Sequence, residues 1–373
     1  MTIGSATKFL GLVIVGGVMT AACVVSPSPD DTQELASQTT VVAELGHRPP
    51  DPVRVRSASR SLPMLAGIAK GFFAEQNIAV DYSQFASSRP TFVQVSNHEI
   101  EVIISSTDNA VNYQINPHNA AGGILDVQLI FAHDNGLGLA LLAQPGFTTA
   151  ESLRGQRIGV DVQGSGFALP VAKIMRDHGM EVGVDYTMVS AGGSPARLNG
   201  LIATPPLWQA AIINAESVVR GKDLGLPVIG TIGELINPYL GGGVATSRWW
   251  LQNNPGAAVR FIRGFIRATS WVQDPRNRAE ATALLLDAET TPALAAEVYA
   301  LNVASDGLSD CALLDHTGFL NVLKLRNEFN GFETAQDLNF LASPRSGLYD
   351  LRYYYAALLG ELLDGRARGC LCR

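Results

Sequence analysis

Val53-Arg-Val-Arg56, Leu62-Pro-Met-Leu-Ala-Gly-Ile-Ala-Lys-Gly-Phe-Phe73, Ile78-Ala-Val-Asp-Tyr-Ser-Gln-Phe85, Thr91-Phe-Val-Gln-Val95 and Glu101-Val-Ile-Ile104 follow one another in this chain. The first and third stretches are strand-like, and the second spaces its apolar residues as a helix does. The polar turn Ala86-Ser-Ser-Arg-Pro90 opens the fourth as another helix, and the fifth is short and apolar enough for a buried strand. Strand, helix, strand, helix, strand argues for right-handed βαβ units and a parallel sheet covered on both faces.

Outward from this block, Val127 to Ala132 and Leu137 to Ala143 are apolar runs on either side of His133-Asp-Asn-Gly136. A second rhythm starts at Thr148. It places strands at Arg157–Val160, Thr187–Val189 and Ala210–Ile213, and helices at Phe167–His178, Ser194–Leu201 and from Glu216. The chain turns back through Val244-Ala245, and Asn254-Pro255 opens a long amphipathic helix from Ala257 to Val272. Everything beyond reads as helical. The expected fold class is therefore α/β with two lobes joined by crossing strands. Residues 52–135 with 242–373 form lobe 1 and its C-terminal helices, and 136–241 form lobe 2.

At the N-terminus, Lys8 precedes the apolar run Phe9 to Thr20, which ends in Thr20-Ala-Ala-Cys23. A membrane-spanning helix needs roughly 20 apolar residues, so this shorter run reads as an export signal. Small residues before a cysteine resemble the bacterial lipoprotein signal, with Thr20 standing where that pattern usually has Leu. It implies lipidation at Cys23 and a signal over 1–23; ordinary cleavage nearby and an unprocessed anchor are the alternatives. Val24 to Asp51 is rich in Ser, Pro, Thr, Gln and Asp and reads as a flexible tether.

About 320 residues remain, more than one core usually organises. Net charge is -7, and no sizeable basic cluster exists, so a nucleic-acid partner is not expected. In an oxidising compartment Cys311 could pair with Cys370 or Cys372, while those two are too close in sequence for an easy mutual bridge. No metal or cofactor is expected.

Glu151-Ser-Leu-Arg-Gly-Gln-Arg-Ile-Gly-Val160, Gly71-Phe-Phe-Ala-Glu-Gln-Asn-Ile78, Asn97-His-Glu-Ile-Glu-Val-Ile-Ile-Ser-Ser-Thr-Asp-Asn109 and Arg248-Trp-Trp-Leu-Gln-Asn-Asn-Pro255 add a family signal by their order and spacing. They resemble segments of bacterial periplasmic solute-binding proteins of the sulfonate, nitrate and thiamine-pyrimidine group, over roughly Val53 to Leu286. The chain departs from that pattern at Thr204-Pro-Pro-Leu-Trp208, where a Gly-Asp-Ala-type approach to the next strand is common. The resemblance implies a type II periplasmic-binding-protein fold with an interlobe cleft. It also implies delivery of a small solute to the permease of an ABC importer, from the periplasm or outer cell surface. The expected protein is a non-catalytic monomer held at the membrane surface by its lipid.

The residues themselves lead to the same cleft. Ligands of open α/β sheets bind beyond the carboxyl ends of strands, where helix N-termini offer unpaired N–H groups. The loops there supply Arg60, Ser61, Ser88, Ser106, Thr107, Asp108, Gln163, Gly164, Ser165, Gly166, Phe167, Asn214 and Glu216, and His133 lies at the crossing. Gln163-Gly-Ser-Gly166 is the preferred gripping loop, with Ser165 as donor; helix capping by Ser165 is the alternative. It is not a nucleophile elbow, because Gln163 and Phe167 stand where glycines are needed. Asp108, Asp161 and Glu216 disfavour a bare oxyanion and point towards a small organic solute with N–H donors, such as a pyrimidine-like compound. Two other functions compete: an enzyme like the eukaryotic thiamine-pyrimidine-forming relative, whose cysteine-rich motif this chain lacks, and a ligand-sensing lobe for a separate signalling partner.

Overall fold

The computed structural model describes residues 49–136, 138–214 and 216–366. The signal, Cys23, most of the tether, Cys370 and Cys372 lie outside the described residues. Among the described residues ten strands form two five-stranded sheets. The first contains β1 (Asp51–Ser57), β2 (Ile78–Gln84), β3 (Val102–Ser106), β4 (Gln128–Asp134) and β10 (Gly242–Thr246), in the order β2-β1-β3-β10-β4. The second contains β5 (Ala140–Ala143), β6 (Arg157–Val160), β7 (Thr187–Ser190), β8 (Ala210–Ile213) and β9 (Val228–Thr231), in the order β7-β6-β8-β5-β9.

The two sheets share one plan. In each, three strands joined by helices run parallel, β1 with β2 and β3, and β6 with β7 and β8. A strand arriving from the other sheet then enters antiparallel: β10 between β3 and β4, and β5 between β8 and β9. The sheets are thus mixed, where the rhythm alone led to a parallel one. The reason is topological, because a strand that crosses between lobes needs no βαβ return and is free to run the other way. Short β9, with Val228 exposed and the other three residues partly buried, carries little periodic signal and escaped the sequence reading.

Local chemistry sets the helix starts. Ser61 caps Leu62–Ala69, with Pro63 in the first turn where its missing N–H leaves no helical bond unmade. The long helix Pro255–Gln273 buries Ala258, Phe261, Ile262, Phe265, Ile266 and Val272 on one face. Phe73 stacks on Phe261 at 5.3 Å there. The terminal helix Arg352–Leu363 lies on it through Glu361, fully buried and gripped by Arg263 (2.7 Å) and Arg267 (2.5 and 2.9 Å). The helix His316–Glu328 packs on Thr107–Ile115 of the first lobe and on Ala168–Asp177 of the second. Cys311 is disulfide-bonded. Among the described residues no helix is long and apolar enough to cross a membrane, and no cluster of metal-ligating side chains occurs.

Candidate functional site

Three strand ends of the first sheet and loops of both lobes line a small cavity of about 40 Å³ that opens to solvent. Ser57 ends β1 and leads into Ala58-Ser59, Ile104-Ser-Ser106 ends β3, and His133-Asp134 ends β4. From the opposite side come Gly136, Gly166, Phe167 and Asn214, while Tyr239, Gly241 and Gly242 belong to the return crossing. Burial pushes the Tyr239 hydroxyl well above its ordinary pKa, so it stays a neutral donor or acceptor.

His133 is the hub of the wall. Its Nε2 shares a hydrogen bond with Ser61 Oγ at 2.8 Å, and its Nδ1 with Asp134 Oδ2 at 2.7 Å. Asp134 Oδ1 accepts from the N–H groups of Gly136 (3.0 Å) and Gly242 (3.1 Å). These bonds pin the two crossings together. Glycine is required at 242, because a Cβ there would meet Asp134 Oδ2 at 2.0 Å. Ser61, His133 and Asp134 have the connectivity of a hydrolytic triad, but Ser61 is buried, caps a helix and is absent from the cavity wall. A nucleophile must face the space where substrate sits.

The sequence-derived site residues separate into distinct groups. Ser106, His133, Gly166, Phe167 and Asn214 line the cavity. Gln163, Gly164 and Ser165 instead border a neighbouring open depression with Tyr113, Asn116 and Phe329. Ser165 Oγ accepts from the N–H groups of Phe167 and Ala168, both at 3.3 Å, and so caps the helix. Gln163 Nε2 donates to the Met188 carbonyl at 2.8 Å. Thr107 is wholly buried off the wall with Oγ1 unpartnered, and its N–H donates to the Gly241 carbonyl at 2.9 Å.

The remaining candidates bridge the lobes. Arg60 pairs with Glu216 at 2.8 Å and with Asp287 at 2.8 Å, and Thr290 adds a hydroxyl to Glu216 at 3.1 Å. Ser88 Oγ donates to Asp161 Oδ2 at 2.5 Å. Gly166 N–H donates to Asn109 Oδ1 at 2.9 Å, and a Cβ at Gly166 would strike Ser106 Oγ at 2.0 Å. Asp108 is held bidentately by Arg326, Nε at 2.7 Å and Nη2 at 2.6 Å, and Arg326 also donates to the Gly164 carbonyl at 3.0 Å. The described conformation is therefore closed, with backbones from the two lobes in direct contact.

Two arginines central to this arrangement were missed in the sequence. Arg326 follows Phe319, Val322 and Leu323 at i+7, i+4 and i+3, so a charged residue on an apolar helical face was the available signal. Arg197 precedes Leu198 and Leu201 in a short helix and gave a weaker one. It is buried, stacks on Phe167 at 4.4 Å, and its pKa is lowered to about 10 by desolvation.

Comparison with known proteins gives one direction. A family profile described as NMT1/THI5 like matches residues 58–278. No curated protein matches. The periplasmic nitrate-binding protein NrtA from Synechocystis PCC 6803 superposes with a TM-score of 0.68 at 13% identity, covering 85% of this chain and 91% of that one. The alkanesulfonate-binding protein SsuA from Xanthomonas axonopodis pv. citri, bound to MOPS, gives 0.63 at 15% identity, covering 78% and 96%. The desulfurization enzyme DSZB gives 0.56 at 12% identity, covering 83% and 99%. At these identities the likeness shows the fold, which is that of the periplasmic binding proteins.

Proposed function

Because the chain belongs to the NMT1/THI5-like family, we propose that it is an extracytoplasmic solute-binding receptor that closes around a small organic molecule and delivers it to the permease of an ABC importer. The lobes of this reading divide at the crossings, 52–135 with 242–373 against 136–241. Lipidation at Cys23 would tether the receptor to the membrane, in the periplasm or on the outer cell surface, and it would act as a monomer without catalysis.

One observation carries the reading: the cavity lies where loops of both lobes meet, and the contacts over it join one lobe to the other. Ser88–Asp161, Asn109–Gly166 and Arg60–Glu216 all break if the lobes rotate apart at the two crossings. The pyrimidine-like solute suggested by the acidic loops loses much of its motivation, since Asp108 and Glu216 are already neutralised by arginines.

An enzyme is the competing reading, although Ser61, bonded to His133 in a chain with Asp134, does not face the cavity. Native mass spectrometry of protein purified without added ligand separates the two. A receptor releases its co-purified molecule unchanged after prolonged incubation. Conversion of that molecule, abolished by Ser61→Ala, would establish the enzyme instead. For the tether, Cys23→Ser is expected to move the protein from the membrane to the soluble envelope fraction, and unchanged membrane association would rule it out.

A further inference from the structure

Among the described residues, no Lys or Arg side chain lines the interlobe cavity, and the ionisable side chains of its wall are His133, Asp134 and Tyr239. The first two are already engaged with each other and with the protein. Asp134 Oδ1 holds the N–H groups of Gly136 and Gly242, its Oδ2 holds the His133 ring, and the other nitrogen of that ring is on Ser61. Whichever proton His133 carries, the pair is neutral or negative and never presents a surplus positive charge to the cavity.

The polar groups left for a solute are uncharged. Ser105 lines the cavity, is 6% exposed, and its Oγ has no hydrogen-bond partner. Ser106, beside it on the wall, precedes a helix but makes no side-chain capping bond. From the second lobe, Asn214 accepts from Ser194 Oγ through Oδ1 at 2.5 Å, which leaves its Nδ2 as the available donor. The two hydroxyls can donate or accept, and the amide nitrogen only donates. At about 40 Å³ the cavity takes about three water-sized spheres, and so a solute of about four non-hydrogen atoms.

We propose that the solute is a small uncharged amide held by Ser105 and Ser106 of the first lobe and Asn214 of the second. The inference rests on the receptor reading above and names the solute class. An amide brings a carbonyl oxygen for Asn214 Nδ2 and N–H donors for the serine hydroxyls, in a planar unit of the right size. An anion would be enclosed beside Asp134 with no cation to offset it. An ammonium would have to displace the N–H groups of Gly136 and Gly242 from Asp134 and so undo the bonds that pin the crossings. Because the contacts come from both lobes, the amide completes its hydrogen bonds only when the cleft is closed.

The test uses four probes with the same branched skeleton of four non-hydrogen atoms on the purified full chain freed of bound solute: acetamide, acetate, acetamidinium and propan-2-ol. In thermal unfolding at about 10 mM probe, acetamide alone is expected to raise the midpoint, because a ligand that binds only the folded state stabilises it. Ser105→Ala is expected to raise the acetamide concentration needed about threefold to tenfold, the loss of one hydrogen bond between neutral groups. Asn214→Asp keeps the acceptor for Ser194 and replaces the donor by a carboxylate, so the preference is expected to move from acetamide to acetamidinium. That exchange of probes is a readout which a merely destabilised variant would not show. A response to acetate, acetamidinium or propan-2-ol equal to that of acetamide, no response to acetamide, or an unaltered preference in a folded Asn214→Asp variant would overturn the amide. The receptor reading is decided separately, by whether a co-purified molecule is bound and whether the lobes move.

Discussion

Asp108 with Arg326 and Asp161 with Arg197 are two acid–guanidinium combinations in one interlobe region, almost equally buried and oppositely arranged. The first is a bidentate pair whose side chains are 1% and 2% exposed, with the remaining Arg326 nitrogen on Asn112 and the Gly331 carbonyl. The second never closes, and three of its polar atoms have no partner. A charge pair completed within the protein works as a clasp, whereas one left incomplete carries the cost of buried polar atoms without partners. Position alone does not distinguish them, since Asp108 and Asp161 both follow strands of the kind that feed a ligand cleft.

The largest expected effect comes from breaking the clasp. Arg326→Ala leaves Asp108 charged and buried and removes the tie between Thr107–Ile115 and the Gly164 loop. Loss of one partner of a buried pair costs about 3–5 kcal/mol, to be read from denaturant midpoints. A change near zero would show that the pair is no stronger than a surface contact. Next is the close approach of the lobes. Gly166→Val is expected to hold them apart, destabilising the closed form by about 1–3 kcal/mol and raising the radius of gyration in solution. An unchanged radius would mean that Ser106 and Gly166 are not opposed in the closed state.

Smaller effects sharpen the contrast. Ser165→Ala removes a helix cap and is expected to lower stability by about 0.5–2 kcal/mol, with solute affinity unaltered. An affinity loss in a fully folded variant would return the loop to the site. The smallest concerns Asp161. Burial raises its pKa despite the Ser88 hydroxyl and Arg197, so between its unfolded and folded pKa values the native state holds the extra proton. Stability contributed by the protonated form is lost as pH rises through that window, and Asp161→Asn is expected to be the more stable protein at neutral pH. The gain should vanish in acid below the unfolded carboxylate range. A lower midpoint at neutral pH would show that Asp161 is satisfied in the unliganded protein.

Much of the fold was legible because its signals are local. Arg157–Val160 and Ala210–Ile213 are strands at the read boundaries, and the return helix was placed within two residues at its start, at Pro255 instead of Ala257. The direction of β5 and β10 was not legible, since a strand's orientation depends on which lobe the chain has left. The site was legible in outline only. Periodicity and loop chemistry located the strand ends carrying Ser106, His133 and Asn214, but nothing local reveals that Gln163 and Ser165 border a neighbouring depression while Gly166 lines the cavity. The partners of Asp108 and Asp161 lie 218 residues away in one case and in a separate helix in the other, and only tertiary packing pairs the first and leaves the second open.

Solution scattering tests the central claim of a cleft closing on its solute most directly. The protein is stripped of its co-purified molecule by partial unfolding and refolding, measured, and measured again after that molecule is returned. The account predicts a larger radius of gyration for the stripped protein and recovery of the smaller one on reloading, with Gly166→Val failing to recover. A radius that is the same in both states while the molecule is demonstrably bound would contradict it.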